Sequence, residues 1–234
     1  MNRGPAGMYR DGTYGRKNPM WHEEDAPYKA KDILALLAKH EIRPATICEV
    51  GCGSGGILAL LAREFGSAQC TGYDISEQAL ALCRPKESGN LHFLAGSLPQ
   101  ADARFDLVLA IDVLEHVEDY IGFLKELRGK GARTIFRVPL NLSVQSVLLR
   151  SRPILRAREA YGHLHYFTQE TALATLRDAG YRTVDSFLTF APISMDALGP
   201  GRAVLKRLKR ACLQVSPAWV ARMLDGFSLM VLAE

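Results

Sequence analysis

No apolar run in these 234 residues approaches the roughly 18 needed to span a bilayer, and Met1 to Pro5 lack the apolar core of a secretion signal. A cytoplasmic protein is the expectation. Cysteine is sparse: Cys48, Cys52, Cys70, Cys83 and Cys212 include no Cys-x-x-Cys pair. That spacing gives little support to a zinc site and predicts buried free thiols in a reducing compartment. Internal repeats and low-complexity tracts are absent too. The length suits one α/β domain with decorations and is short for two full domains. Acidic residues run short in one region only. Residues 1–132 carry 15 Lys and Arg against 18 Asp and Glu, a net of −3, whereas 133–234 carry 14 against 7, a net of +7.

Glycine, by contrast, is concentrated at one point. The β-prone run from Ala45 ends at Glu49-Val50, and four glycines follow in six positions: Gly51, Gly53, Gly55 and Gly56. The apolar run Ile57 to Ala62 comes next. A buried strand, a tight turn and a helix start bring backbone close to a ligand at a helix N-terminus. A Cβ would block both the positive φ angles and the ligand's approach. Two templates fit. Gly51-x-Gly53-x-x-Gly56 satisfies a dinucleotide fingerprint, and Glu49-x-Gly51-x-Gly53-x-Gly55 resembles the first motif of class I S-adenosyl-L-methionine (SAM) methyltransferases.

Strands and helices alternate downstream. The pattern predicts strands at 45–51, 69–74, 90–95, 105–111, 133–138, 181–190 and 227–233. Helices are expected at 28–40, 56–65, after Ser76, at 117–128 and at 168–179. This rhythm implies an α/β fold, a mostly parallel sheet with helices on both faces, and ligands beyond the C-terminal strand ends. The glycine turn, Asp74, Gly96-Ser97-Leu98 and Asp112 all fall there. Asp74, about 20 residues past the glycines, is placed to accept from two ribose hydroxyls, a feature of SAM and NAD alike. Residues 1–27 are rich in Gly, Pro and charge yet carry Tyr9, Tyr14 and Trp21, and are expected to fold back as a lid on a domain spanning 28–234.

Later motifs separate the two cofactors. Phe105–Val117 (FDLVLAIDVLEHV) matches the fourth motif of SAM methyltransferases nearly residue for residue. Gly162–Thr168 (GHLHYFT), the following helix and Ala179-Gly180-Tyr181 are similar to the segment before the sixth strand in small-molecule members. The chain thus resembles the class I SAM-dependent methyltransferases, in the group that includes ubiquinone-biosynthesis-type O-methyltransferases. An NAD-dependent oxidoreductase and a non-catalytic SAM-binding protein are the alternatives. The resemblance implies a Rossmann-like seven-stranded sheet with an antiparallel last strand. It also implies roles: the turn Gly51, Cys52, Gly53 and Gly55 passing the amino-acid end of SAM, which Glu49 organises, and Asp74 holding the ribose. Ile75, Ser97 and Leu98 would border the adenine, and Asp112 would lie beside the methyl donor. Ser97 stands where many relatives have Asp. In some ubiquinone-type relatives an acid plus a Glu-His pair bind a divalent metal, as Asp112, Glu115 and His116 could. Residues 115 and 116 cannot share one helix face, however, and no metal is expected.

Two insertions, 139–166 and 191–226, lie where substrates usually enter. Arg150, Arg152, Arg156 and Arg158 sit in the first. The second contains the amphipathic basic stretch Arg202–Arg210. Three readings stay open: a solvated face, attraction of an anionic small-molecule substrate, or contact with an anionic membrane and a lipid-linked substrate. No nucleic-acid-binding module is recognisable, and nothing fixes the oligomeric state. Trp21, His22, Arg150 and Arg152 are candidate substrate contacts. His163 and His165, two apart and so on one face of extended backbone, are candidate bases for a hydroxyl acceptor.

Overall fold

The computed structural model describes residues 6–99, 102–190 and 216–234. Seven strands form one sheet in the order β3-β2-β1-β4-β5-β7-β6. They are β1 (Thr46–Val50), β2 (Gln69–Asp74), β3 (Leu91–Ala95), β4 (Phe105–Ile111), β5 (Gly131–Leu140), β6 (Thr183–Phe190) and β7 (Phe227–Ala233). β7 is antiparallel to β5 and β6, and every other pair is parallel. The Rossmann-like α/β architecture is therefore the one the alternation and the resemblance implied.

The helices among the described residues are α1 (Ala6–Arg10), α2 (Thr13–Lys17), α3 (Ala26–Lys39), α4 (Gly56–Glu64), α5 (Glu77–Cys83) and α6 (Tyr120–Arg128). They continue with α7 (Val144–Leu148), α8 (Arg152–Tyr161), α9 (Gln169–Asp178) and α10 (Pro217–Met223). Successive residues of β4 serve opposite cores, because side chains alternate across a strand. Leu107 and Leu109 pack with Ile33 of α3, Leu58 of α4 and Leu80 of α5. Val108 and Ala110 pack with Leu124 of α6 and Leu176 of α9. All four β4 residues are fully buried.

Three boundaries differ from expectation. α3 begins at Ala26, since Pro27 occupies the first helical turn, where a missing N–H leaves no bond unmade. The helix expected from Val117 is split. A 3-10 turn covers Leu114–His116, and α6 starts only after Asp119, whose carboxylate accepts from Gly122 N. The segment 139–166 is more ordered than its linker-like composition suggested: β5 runs on to Leu140 because Phe227 of β7 pairs with it, and α7 and α8 follow. The basic stretch Arg202–Arg210, most of the second insertion and Cys212 lie outside the described residues. The other four cysteines are buried free thiols. No helix among the described residues is long and apolar enough to cross a membrane.

Candidate functional site

After β1 the chain turns through Gly51–Gly55 into α4, beside a cavity of about 750 Å³ at the C-terminal ends of the strands. The glycines divide the work. A Cβ on Gly55 (φ 77°) would sit 2.6 Å from the Phe93 ring, so this residue serves the helix cap and close packing. Gly53 (φ 54°) has open space at its Cβ position, with only the Trp21 ring 3.9 Å away. Its backbone borders the cavity. Gly53 N donates to Asp74 Oδ2 at 2.9 Å, and Ser76 N donates to Oδ1 at 2.8 Å. Asp74 thus ties the turn to the start of α5, which Ser76 caps. Burial raises its carboxyl above the ordinary range, against those backbone donors.

Glu49 lies beneath the turn, 2% exposed, and its Oε2 has no hydrogen-bond partner among the described residues. Burial pushes this carboxyl up to about 8, opposed by Lys29 and the Leu58 N–H. Asp112, the residue after β4, adopts a left-handed conformation (φ 56°), unusual for a residue with a Cβ. Lys29 Nζ of α3 lies 2.9 Å from its carboxylate, and Arg137 Nη1 of β5 lies 2.5 Å away. Burial disfavours ionisation of Asp112, yet these two cations outweigh it and hold the carboxyl well below the usual range. Arg137 is itself buried, with the Tyr28 ring centroid 5.9 Å from its guanidinium carbon.

Another part of the cavity wall comes from the Leu114–His116 turn and the irregular segment 163–165. Leu164 N and His165 N both donate to the Glu115 carbonyl, which docks His163 against His116. The two imidazole centroids are 4.8 Å apart. Tyr9 donates its single hydroxyl proton to the Tyr161 carbonyl at 2.6 Å, so its oxygen must accept from His116 Nδ1 at 2.9 Å. Neutral His116 then keeps Nε2 unprotonated, 3.7 Å from Glu115 Oε1. Burial and the neighbouring His163 push His116 down to about 3, and burial pushes His163 down to about 4. Glu115 is 1% exposed with neither side-chain oxygen partnered among the described residues. Burial and the Asp112 charge push its carboxyl well up. This wall is a set of titratable groups held uncharged.

Of the residues expected at the cofactor, all but Gly55 line this cavity; so do Trp21, His22 and His163. Four expectations are corrected. Gly55 faces Phe93 and Cys83 instead. His165 turns away to bond Val117 O at 2.9 Å and pack on Tyr120, because its neighbour's backbone is drawn to Glu115. Arg150 and Arg152 are carried outward by the α7–α8 turn and are exposed. Glu115 and His116 do converge, since a 3-10 turn rather than an α-helix holds them; with His163 they offer ligand atoms within 4.8 Å of one another. Lys29, Arg137 and Asn141 were not anticipated, and Tyr9, expected only as part of the folded-back segment, reaches His116. An arginine within the apolar run of the fifth strand was the one available signal.

A family model described as "Methyltransferase domain" matches residues 20–186. The chain is 33% identical over 93 residues to norajmaline N-methyltransferase of Rauvolfia serpentina, covering 36% of this chain and 32% of that one. Against the ubiquinone biosynthesis O-methyltransferase of Ruegeria pomeroyi it is 30% identical over 164 residues, covering 63% of this chain and 64% of the relative. The chain thus spans 32% to 64% of the length of these relatives. Among solved structures, a SAM-dependent methyltransferase from Thiobacillus denitrificans in complex with S-adenosyl-L-homocysteine superposes with a TM-score of 0.61. Identity is 18%, with 94% of this chain and 96% of that one covered.

Proposed function

Since the chain belongs to the class I SAM-dependent methyltransferase family, we propose that it transfers a methyl group from SAM to a small molecule, on an oxygen atom. The residues present fit the cofactor: a glycine backbone open to the cavity at Gly53, the carboxylate of Asp74 with lone pairs to spare, and the unpartnered Oε2 of Glu49. Asp74 would hold the ribose, Glu49 the ammonium of the amino-acid end, and Ile75, Ser97 and Leu98 the adenine. SAM, when bound, supplies the reactive methyl group, which leaves the protein to position the acceptor and manage its proton.

The choice of oxygen rests on one observation: the cavity wall carries His116 and His163, both kept neutral by burial. Of the two, His116 offers an unprotonated Nε2 that can accept a hydroxyl's proton as the methyl is transferred, whereas neutral His163 accepts from Asn141 at Nδ1, so its Nε2 carries a proton and can hold the acceptor oxygen only as a donor. Asn141 Nδ2 lies 2.8 Å from His163 Nδ1 and orients that ring, and Tyr9 orients His116. Lys29 and Arg137 face two carboxylates, Asp112 and Asp25, the latter 4.0 Å from Lys29 Nζ, so this part of the cavity is balanced in charge. The test is turnover with SAM against hydroxylated and amine acceptors, comparing the wild type with His163→Asn and His116→Asn. Loss of hydroxyl methylation by at least about tenfold in both variants, with SAM binding intact, is expected. Methylation of amines alone would overturn the oxygen assignment. SAM binding without turnover on any acceptor would leave a binding protein.

A further inference from the structure

The hairpin of α7 and α8 carries a surface that methyl transfer does not use. Val144, Val147, Leu148, Leu149 and Leu155 are 41%, 58%, 76%, 49% and 53% exposed. Single exposed aliphatic residues are ordinary, but five within twelve positions form a patch. The backbone presents them deliberately. Arg150 (φ 54°) and Ser151 (φ 57°) are consecutive left-handed residues with side chains, a conformation that persists only when the surroundings enforce it. At the hairpin's base, Ser143 caps α7 and hydrogen-bonds Asp225, while Ile154 anchors α8 in the interior.

Arg150, Arg152, Arg156 and Arg158 are interspersed with and follow these apolar residues along the hairpin, all exposed, and among the described residues no ion pair joins any of them to a carboxylate. Glu159 is the only acid between 139 and 166. We propose that this hairpin docks on an anionic lipid bilayer. Leu148 and Leu149 enter the boundary between headgroups and acyl chains, and the guanidinium groups meet lipid phosphates. Charge complementarity selects this occupant: an apolar hairpin interspersed with charges of one sign, all cationic, matches a fluid anionic surface. The ends of the same hairpin, at Asn141 and at Tyr161 and His163, line the cavity. Docking therefore brings the acceptor wall to the membrane and suits a lipid-soluble acceptor; that last clause rests on the proposed function, whereas the docking does not.

Full-length protein should co-sediment with phosphatidylcholine vesicles containing phosphatidylglycerol at least ~10-fold more strongly than with pure phosphatidylcholine, and less so as salt rises. The double variant Leu148→Ser with Leu149→Ser keeps every charge and should lose most of this binding. Arg150→Glu with Arg156→Glu should lose it by at least ~10-fold. Both should keep the wild-type melting temperature and wild-type binding of S-adenosylhomocysteine. Absence of binding to anionic vesicles, or binding unchanged in both variants, overturns the proposal. So does a dimer in sedimentation equilibrium that Leu148→Ser dissociates, since the patch would then belong to a second copy.

Discussion

Asp74 does two jobs with one carboxylate, because Gly53 N and Ser76 N already occupy one lone pair on each oxygen. Asp74→Ala should therefore lower both SAM affinity and the melting temperature, which confounds a binding test. Asp74→Asn keeps the shape and one acceptor oxygen. It should weaken SAM by about 2–3 kcal/mol, on the order of a hundredfold, and should itself cost about 1–3 kcal/mol of stability, because its NH2 meets one of the two backbone N–H donors; calorimetric titration beside a thermal melt separates the two losses. Less than about a threefold change would displace the ribose from this residue. Glu49 leads to a pH prediction. With a folded-state value of about 8, it stays protonated in the fold over a range where the unfolded chain has lost that proton. Its contribution to the ligand-free protein is full below the ordinary carboxylate range and is lost as pH rises towards 8. Glu115 acts in the same direction. His116 and His163 act oppositely, losing stability as pH falls below the ordinary histidine range towards about 3 and 4. Above that range only the glutamates contribute, at most about 1.4 kcal/mol per pH unit each. The melting temperature should therefore drop between about pH 6.5 and 8. Glu49→Gln should flatten that drop; an equal drop in the variant would contradict the assignment.

Among the elements, the N-terminal α1 and α2 decide how enclosed the site is. Tyr9, Tyr14 and Trp21 form a continuous aromatic stack, with ring centroids 4.6 and 4.7 Å apart along Tyr9–Tyr14–Trp21. The stack lies over the glycine turn and reaches His116 through the Tyr9 hydroxyl. It also touches the acceptor side, where Lys17 Nζ donates to the Glu159 carbonyl and Asn18 Nδ2 to the Ala160 carbonyl. Ordering such a segment excludes water and fixes a catalytic group at once. Removing residues 1–24, which spares α3, should leave a folded protein with reduced turnover. Tyr9→Phe keeps the ring and deletes the hydroxyl that sets the His116 tautomer. Its kcat should fall while the KM for SAM and the melting temperature, within about 1 kcal/mol of stability, stay put. Unchanged kcat in both proteins would reduce the stack to packing.

At the scale of the molecule, the cavity sits where β1 and β4 diverge in order, beyond their C-terminal ends, so a ligand there touches most layers of the fold. Binding should stabilise the whole domain by mass action. S-adenosylhomocysteine at about a hundredfold over its Kd adds about 2.7 kcal/mol. For a chain of this size that is a rise of roughly 5–10 °C in Tm. NADH at the same concentration should give no shift. A shift with NADH and none with S-adenosylhomocysteine would return the chain to the oxidoreductases.

Sequence alone determined the sheet and the placement of the residues proposed for the cofactor, because both are encoded locally. β2, β4 and β7 fall at the bounds read from the sequence, and Glu49, Gly53 and Asp74 lie on β1, on the turn that follows it and at the end of the neighbouring β2. The end proposed for the acceptor was decided only by tertiary structure. Tyr9, His116 and His163 come from three distant segments, and their meeting depends on the Glu115 carbonyl accepting from Leu164 and His165. Spacing could not separate His163 from His165, since what divides them is a backbone bond to another element. Nor could it pair Lys29, Asp112 and Arg137, three charges on α3, just past β4 and on β5, whose attraction exists only once the sheet has brought them together.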